Sequence, residues 1–314
     1  MSDFIPTELG SDITENEIVE EIVQVEVDDI VEDSVNKPLD SEPEPIADYS
    51  ENEVIDSTDI NDEVVYIQVE NSSYALGILA KNYFHDPSSK LKLVGITGTN
   101  GKTTTATLSY DLFSSLGYCC GLISTIVNKI ADKNFPTERT TPDVLSLNKL
   151  LLEMVEAKCE FVFMEVSSHA VVQHRIAGLS FFGGVFSNIT HDHLDYHKTF
   201  DNYRDTKKVL FDRLGKEAFA ITNVDDRNGL VMTQNCQSRV LTYSTRSMAD
   251  FRGKILEEGF DGMLLRVQST LGAVNTEVFV PLVGRFNVSN LLLILKRKNY
   301  EKIGRECYHN YRRR

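Results

Sequence analysis

The residues with the clearest chemical potential form a short loop, Gly98–Thr104, of sequence GTNGKTT. An apolar stretch that predicts a strand, Leu91–Thr97, precedes the loop, and a predicted helix, Lys102–Leu116, follows it. Glycines let a backbone wrap closely around an anion, and the N–H groups of a helix N-terminus add positive potential. Lys102 would then reach the outer phosphates of a nucleotide, and the Thr103 hydroxyl would bind Mg²⁺. The loop therefore predicts a triphosphate site.

The loop departs from the full phosphate-loop pattern at one position, because Ile96 stands where that pattern has its first glycine. The simpler interpretation is a glycine-containing turn between a strand and a helix, with an incidental lysine. The strand before the loop, the helix after it and the Lys102-Thr103 pair favour the nucleotide.

Two further polar groups follow predicted strands. Glu165 closes the apolar stretch Phe161–Val166, where a carboxylate is placed to coordinate Mg²⁺ directly or through water, although such a residue is commonly only solvated. Residues 191–197 then hold three histidines and two aspartates. His191 and His193 are spaced as a zinc or iron pair. Alternatively, one histidine meets a cation that phosphates already hold, or the loop is merely polar; the upstream phosphate loop favours the single histidine.

The elements that must position these residues alternate between strands and helices, which predicts an α/β fold with a mostly parallel sheet covered on both faces. A strand is expected at 64–69, a helix at Ser72–Phe84, and an appended antiparallel hairpin at Gly253–Val283. Further strands are expected at 121–126, 184–188, 218–222 and 240–243, and further helices at 145–157 and 200–214.

The two ends of the chain differ strongly in charge from the middle. The formal net charge is −15. Residues 1–63 hold 22 acidic side chains and one lysine, whereas residues 296–314 hold eight basic and two acidic side chains. The acidic segment is expected to be mostly disordered, because it cannot bury enough apolar surface, with an acidic docking tail as the alternative. For the basic tail, nucleic-acid binding is the weaker interpretation.

The cysteines and the hydropathy pattern bear on the compartment. The five cysteines are scattered without a C-x-x-C pair, which favours a reducing cytoplasm over a disulfide framework or a zinc ribbon. The sequence has neither an apolar run long enough to span a bilayer nor a secretory signal at its start.

Six motifs in this order and spacing, across about residues 64–293, resemble the Mur ligase family: GITGTNGKTTT, TERTTPD, MEVSSHAVVQHR, SNITHDHLDYH, YRDTKKVLF and GRFNVSNLL. The resemblance implies a P-loop-type central ligase domain that uses ATP and two Mg²⁺ ions. The SSHAVVQHR stretch is similar to the branch that adds the third amino acid, diaminopimelate or lysine, to UDP-N-acetylmuramoyl-L-Ala-D-Glu. A monomer without a nucleic-acid or membrane partner is expected.

The same resemblance implies roles for individual residues. Glu165 would bridge metal sites, His193 would hold the second ion, and Lys207 would be carbamylated and help to place a magnesium ion; Lys102, Lys207 and His193 are the implied catalytic residues. The residues implied to bind ATP are Gly98, Thr99, Asn100, Gly101, Lys102, Thr103 and Thr104, with Asn287 and Asn290 near the adenine. Those implied to bind the muramoyl-peptide are Thr140, Thr141, Ser167, Gln173 and Arg175.

The chain also departs from the family pattern. Residues 64–90 resemble only the end of the N-terminal substrate domain, 91–295 the ATP-binding central domain, and 296–314 are a basic tail unlike the family. From the resemblance, the C-terminal ligase domain is expected to be missing, and Arg139 replaces an asparagine often seen in the family before the Thr140-Thr141 pair. The competing interpretations are a non-catalytic nucleotide-binding fragment and a related ligase such as folylpolyglutamate or cyanophycin synthetase.

Overall fold

The computed structural model of the protein describes residues 67–192, 194–271 and 274–292. Two compact units are distinguished, residues 1–70 and 71–314. In the first unit only residues 67–70 are described, and they form neither helix nor strand. The strand expected at 64–69 is therefore wrong for Ile67–Val69, which are exposed and so lack the sheet partners that a strand needs. The predictions for 1–63 and 296–314 lie outside the described residues.

The second unit alternates helices and strands. The described helices are α1 (Ser72–Tyr83), α2 (Lys102–Ser115), α3 (Val144–Glu156), α4 (Ser168–Val172), α5 (Leu194–His197), α6 (Phe200–Asp212), α7 (Gly229–Met232) and α8 (Phe286–Leu292), with a 3₁₀ turn at Pro87–Lys90. The described strands are β1 (Lys92–Thr97), β2 (Cys120–Ile123), β3 (Asn128–Ile130), β4 (Lys133–Phe135), β5 (Phe161–Glu165), β6 (Gly183–Phe186), β7 (Phe219–Asn223), β8 (Arg239–Ser244), β9 (Phe251–Gly259), β10 (Gly262–Ser269) and β11 (Val274–Val280).

Among the described residues these strands form one mixed sheet in the order β11-β10-β9-β8-β7-β6-β1-β5-β2-β3-β4. The central strands from β8 to β2 pair in parallel. Both edges are antiparallel: β2-β3-β4 on one side and β9-β10-β11 on the other. The mostly parallel α/β sheet is thus confirmed, and the expected hairpin is a three-stranded extension of it. The strands β3 and β4 were not predicted, because three residues carry too short a pattern.

Apolar residues cover both faces of the sheet, as a buried parallel sheet requires. One core cluster packs Ala106 and Tyr110 of α2 and Val288 of α8 against the sheet. The other packs α3 and α6 on the opposite face, with Leu147, Leu151 and Met154 on one side of α3 fully buried. The Asp143 carboxylate caps α3 by accepting from the amides of Leu145 and Ser146. The sheet is therefore held rigidly between two helical layers.

None of the helices in the described ranges is long and apolar enough to cross a membrane.

The burial of α3 predicts a large stability effect at one position. We expect Leu151→Ala to lower the free energy of unfolding by about 2–5 kcal/mol, because Leu151 is fully buried and its truncation leaves a cavity. The exposed Lys149 on the same helix is the control, and Lys149→Ala should change stability by less than about 0.5 kcal/mol. Urea unfolding followed by circular dichroism measures both. Equal stabilities of the two variants would contradict this packing.

Candidate active site

The predicted site residues meet at one edge of the sheet. Because β1, β5, β2 and β6 run in parallel, the segments that leave their carboxyl ends lie side by side. These segments are the phosphate loop 98–101 after β1, residues 124–125 after β2, residues 166–167 after β5 and residues 187–188 after β6. The topology therefore brings together loops that are distant in sequence.

The segment after β6 fixes the backbone of the phosphate loop through hydrogen bonds. The Thr99 amide donates to the Asn188 carbonyl (2.8 Å), and the Asn188 side chain bonds both to the Asn100 amide (3.0 Å) and to the Asn100 carbonyl (2.9 Å). The Ser187 hydroxyl donates to the same carbonyl (2.7 Å). Gly101 starts α2 with a left-handed φ of 86° and without a side-chain cap, so the first amides of α2 keep their capacity to bind an anion.

Two lysine ammonium groups converge on one carbonyl of this loop. Lys102 Nζ donates to the carbonyls of Gly98 and Thr99, both at 2.9 Å, and Lys207 Nζ donates to the Gly98 carbonyl at 3.0 Å. Burial lowers the pKa of Lys102, although the nearby carboxylates of Glu165 and Asp192 raise it. Burial lowers the pKa of Lys207 well below its usual value, and the charge of Lys102 lowers it further. The site thus concentrates positive charge at the loop, and a bound anion would reduce the repulsion between the two lysines.

The position of Lys207 follows from the pattern of α6. Tyr203, Lys207, Leu210 and Phe211 recur at helical spacing on the buried face of that helix. Lys207 is only 1% exposed, and its Nζ lies 4.6 Å from the centre of the Tyr203 ring. The adjacent Lys208 instead forms an ion pair with Asp212. Of these two lysines, the helix turns Lys207 towards the loop.

Glu165 is the acidic centre of the site and is fully buried. Its Oε2 accepts hydrogen bonds from the Thr103 hydroxyl (3.0 Å) and the Thr125 hydroxyl (3.2 Å), and its Oε1 accepts from the Thr125 amide (2.8 Å). Carboxylate and hydroxyl oxygens are the ligands that Mg²⁺ prefers. The pair Thr103–Glu165 therefore has the donor chemistry for a magnesium ion.

The residues expected to bind the peptide substrate line the neighbouring side of Glu165. The hydroxyl oxygens of Thr140 and Thr125 lie 3.1 Å apart, and Thr141 donates to the Glu165 carbonyl (2.8 Å). Arg175 donates to the Thr141 carbonyl (2.8 Å) and to the side chain of Gln173. The structure brings these four residues together. Ser167 lies beside them, where its hydroxyl caps α4 by accepting from the Ala170 amide (3.2 Å).

Asn290 and Asn287, expected near the adenine, stand on the other side of the loop. A cleft of about 1030 Å³ opens there, lined by Asn100, Gly101, Asn188 and Asn290 among others. Asn287 lies behind Asn290 and accepts a hydrogen bond from its amide (3.2 Å). The cleft adjoins the phosphate loop, as a nucleoside site must.

The histidine-rich segment is described in part. His193 lies outside the described residues, so the prediction that it binds a metal ion stays a prediction. His191 is exposed and its ring lies 4.9 Å from that of Phe200. His197 is buried and its Nε2 is 2.9 Å from the Ser168 hydroxyl. His197 therefore contributes to packing behind the site.

Sequence reasoning missed three residues of the site. Thr125 binds Glu165 through both its amide and its hydroxyl. The Tyr203 hydroxyl lies 3.2 Å from the Thr99 hydroxyl. The Asn188 side chain accepts a hydrogen bond from the Asn100 amide of the loop. Thr125 follows the end of β2, and a polar residue after a predicted parallel strand could have indicated its place in the site.

The sequence and the structure were compared with known proteins. Residues 96–295 match the sequence profile of the Mur ligase middle domain. A UDP-N-acetylmuramoyl-L-alanyl-D-glutamate–2,6-diaminopimelate ligase from Phocaeicola vulgatus is 56% identical over 233 residues, which are 74% of this chain and 47% of the relative. The ligase of the same name from Bacteroides fragilis is 55% identical over 231 residues, covering 74% and 46%.

A solved structure with this ligase name superimposes with a TM-score of 0.64 at 32% identity, covering 71% of this chain and 46% of the other. The chain spans about half the length of the relatives that it matches.

The geometry of the loop predicts the effect of adding one methyl group. A Cβ at Gly101 would lie 2.6 Å from the Asn290 side-chain oxygen, in a left-handed backbone conformation. We expect Gly101→Ala to destabilise the protein by more than the roughly 1–2 kcal/mol of backbone strain and to weaken binding of inorganic triphosphate, measured calorimetrically. Gly117→Ala is the matched control, because φ is 90° there and no atom lies within 4 Å. Equal losses of stability in the two variants, with unchanged triphosphate binding in Gly101→Ala, would contradict the close contact between Gly101 and Asn290.

Proposed function

This chain belongs to the Mur ligase family, and from that premise we propose that it is the ATP-binding part of a ligase that adds diaminopimelate or lysine to UDP-N-acetylmuramoyl-L-Ala-D-Glu. The observation that carries the proposal is the convergence of the phosphate loop, the buried Glu165 and the buried Lys207. The names of the relatives supply the substrate class. The free thiols of the described cysteines agree with a cytoplasmic enzyme, which we propose acts as a monomer.

ATP would bind with its phosphates in the loop Gly98–Thr104 and its adenine in the cleft beside Asn290. The amides at the start of α2 and the Lys102 ammonium would then face the phosphate oxygens, and Lys102 would exchange its two carbonyl partners for them. An anion there relieves the repulsion between Lys102 and Lys207. The nucleotide would thereby complete the electrostatics of the site.

The residues present fit magnesium. Thr103 and Glu165 would hold the first ion, and His193 together with a carbamylated Lys207 would hold the second. Magnesium supplies neutralisation of the charge on the phosphoryl group as it transfers. The lowered pKa of Lys207 suits carbamylation, because the neutral amine attacks CO₂, forms the new N–C bond and releases a proton. The product is an anionic oxygen donor in place of a cation.

The reaction divides between the two sides of Glu165. Thr140, Thr141, Gln173 and Arg175 would orient the acceptor so that its carboxylate faces the γ-phosphate. Attack of that carboxylate forms an acyl phosphate and releases ADP. The amine of the incoming amino acid then displaces inorganic phosphate as the amide forms. Lys102 would stabilise the charge on the transferring group.

Phosphate release tests the proposal. With ATP, Mg²⁺, UDP-N-acetylmuramoyl-L-Ala-D-Glu and diaminopimelate or lysine, we expect the chain to release phosphate, and Lys102→Ala to reduce the rate by about 100- to 1,000-fold, as for other charge-stabilising groups. The exposed Lys149 provides the control, and Lys149→Ala should keep the rate.

If the wild-type chain releases no more phosphate than Lys102→Ala while it still binds ATP, the chain is a non-catalytic nucleotide-binding fragment. If the chain releases phosphate with folate as the acceptor but not with the muramoyl-dipeptide, its activity is that of the related folylpolyglutamate synthetases and the proposed function is wrong.

Carbamylation of Lys207 gives a second readout. In ¹³C-bicarbonate at neutral pH, we expect a carbamate signal in the ¹³C NMR spectrum of the protein, and loss of that signal in Lys207→Met. The signal should fall as the pH is lowered, because protonation of the amine removes the nucleophile. Lys208→Met is the control and should keep the signal, since Lys208 is paired with Asp212. A carbamate signal that survives in Lys207→Met would contradict this assignment.

A further inference from the structure

Two arginines flank the Thr140-Thr141 pair in the acceptor part of the site. Arg175 approaches from the segment after α4 and donates from Nη1 to the Thr141 carbonyl (2.8 Å). Arg139 directly precedes Thr140, and its own carbonyl accepts a hydrogen bond from the Thr137 hydroxyl (2.9 Å). The backbone at Arg139 is therefore fixed, while its side chain is exposed. The function proposed above assigns no role to Arg139.

The two guanidinium groups carry like charge and lie beside the same pair of threonines. Within the described ranges neither Arg139 nor Arg175 has an acidic side chain within the 4.0 Å of an ion pair. The Asp143 carboxylate raises the pKa of Arg175 without forming an ion pair with it, and its Oδ1 accepts from the first amides of α3. Burial lowers the pKa of Arg175, and the charge of Arg139 lowers it further. Like charges held near each other in this way create a site for an anion.

The anion site lies next to the position of phosphoryl transfer. Thr140 is linked to Glu165 through the Thr125 hydroxyl, by contacts of 3.1 and 3.2 Å. Two of the five N–H groups of Arg175 are used by Thr141 and Gln173, which leaves donors for a ligand. An acceptor whose reacting carboxylate faces the phosphate loop would therefore place its neighbouring substituent beside the arginines.

We propose that Arg139 and Arg175 together bind a second carboxylate of the acceptor, and that Arg139 determines specificity for a dicarboxylate over its amide. This inference rests on the proposed function, whose acceptor ends in glutamate and so carries one carboxylate that reacts and one that does not. Guanidinium groups suit this role, because they stay charged and present planar, paired donors to a carboxylate. The residue at position 139 thus determines how much more tightly the dicarboxylate binds than the analogue without the non-reacting carboxylate.

Binding to two acceptors tests the proposal. The probes are UDP-N-acetylmuramoyl-L-Ala-D-Glu and its analogue with a carboxamide in place of the non-reacting carboxylate, titrated into the full chain with a non-hydrolysable ATP analogue and Mg²⁺. Wild type should prefer the dicarboxylate. Arg139→Gln should reduce the ratio of the two dissociation constants by about 3- to 10-fold, a modest effect because Arg139 is exposed and screened. Arg139→Lys should restore part of the ratio, because the charge remains without the planar fork.

Arg239 is the matched control, since it is exposed and lies at the amino end of β8, at the opposite end of the strands from the site. Arg239→Gln should leave the ratio unchanged. An unchanged ratio in Arg139→Gln, or equal weakening of both ligands, overturns the inference while the proposed function stands. If the wild-type chain binds the ATP analogue but neither muramoyl ligand, the proposed acceptor fails and the inference fails with it.

Discussion

A fully buried carboxylate that has no cationic hydrogen-bond partner among the described residues organises this site. Burying a charge is costly unless hydrogen bonds satisfy it, and Glu165 is satisfied by three donors from Thr103 and Thr125. These donors come from the start of α2 and from the turn after β2, so the carboxylate at the end of β5 joins three elements. Because a cation could take over the lone pairs that these hydroxyls occupy, the contacts that satisfy the carboxylate also orient it as a metal ligand would be oriented.

The opposite charge is concentrated in the loop beside it. Lys102 and Lys207 share the Gly98 carbonyl, a neutral acceptor that only partly compensates two ammonium groups. The repulsion between them lowers the pKa of Lys207, and burial does so more strongly. Phosphate oxygens at Lys102, or conversion of Lys207 to a carbamate, would each remove this conflict. The loop thus holds an electrostatic conflict that an anion would resolve.

The match to the Mur ligase family includes the loops that meet at this edge. The family match begins at residue 96, within β1, and runs to residue 295. Over the matched region the relatives are more than half identical, yet the chain spans about half of their length. The phosphate loop, Glu165 and Lys207 all lie within this matched region.

The sequence by itself determined the features that depend on local pattern. The phosphate loop, its strand and helix, and most of the central strands follow from apolar runs and glycine positions within about a dozen residues. The strand expected at 64–69 is wrong at Ile67–Val69, because a strand pattern needs a partner in a sheet and these residues are exposed. The short elements α4, β3 and β4 were missed, since they are too short to show periodicity and lack the apolar runs that made the short central strands predictable.

Tertiary structure alone decided which of these features act together. Thr125 becomes part of the site only because β2 pairs with β5, which sets its amide against Glu165. Lys207 differs from Lys208, which is also buried, only because α6 packs in one orientation, which turns the Lys207 amine to the Gly98 carbonyl and the Lys208 amine to Asp212. The contact of Arg175 with Thr141, two residues after Arg139, likewise depends on two loops that meet at the strand ends. Such contacts arise from strand order and helix orientation, and no stretch of the sequence encodes them locally.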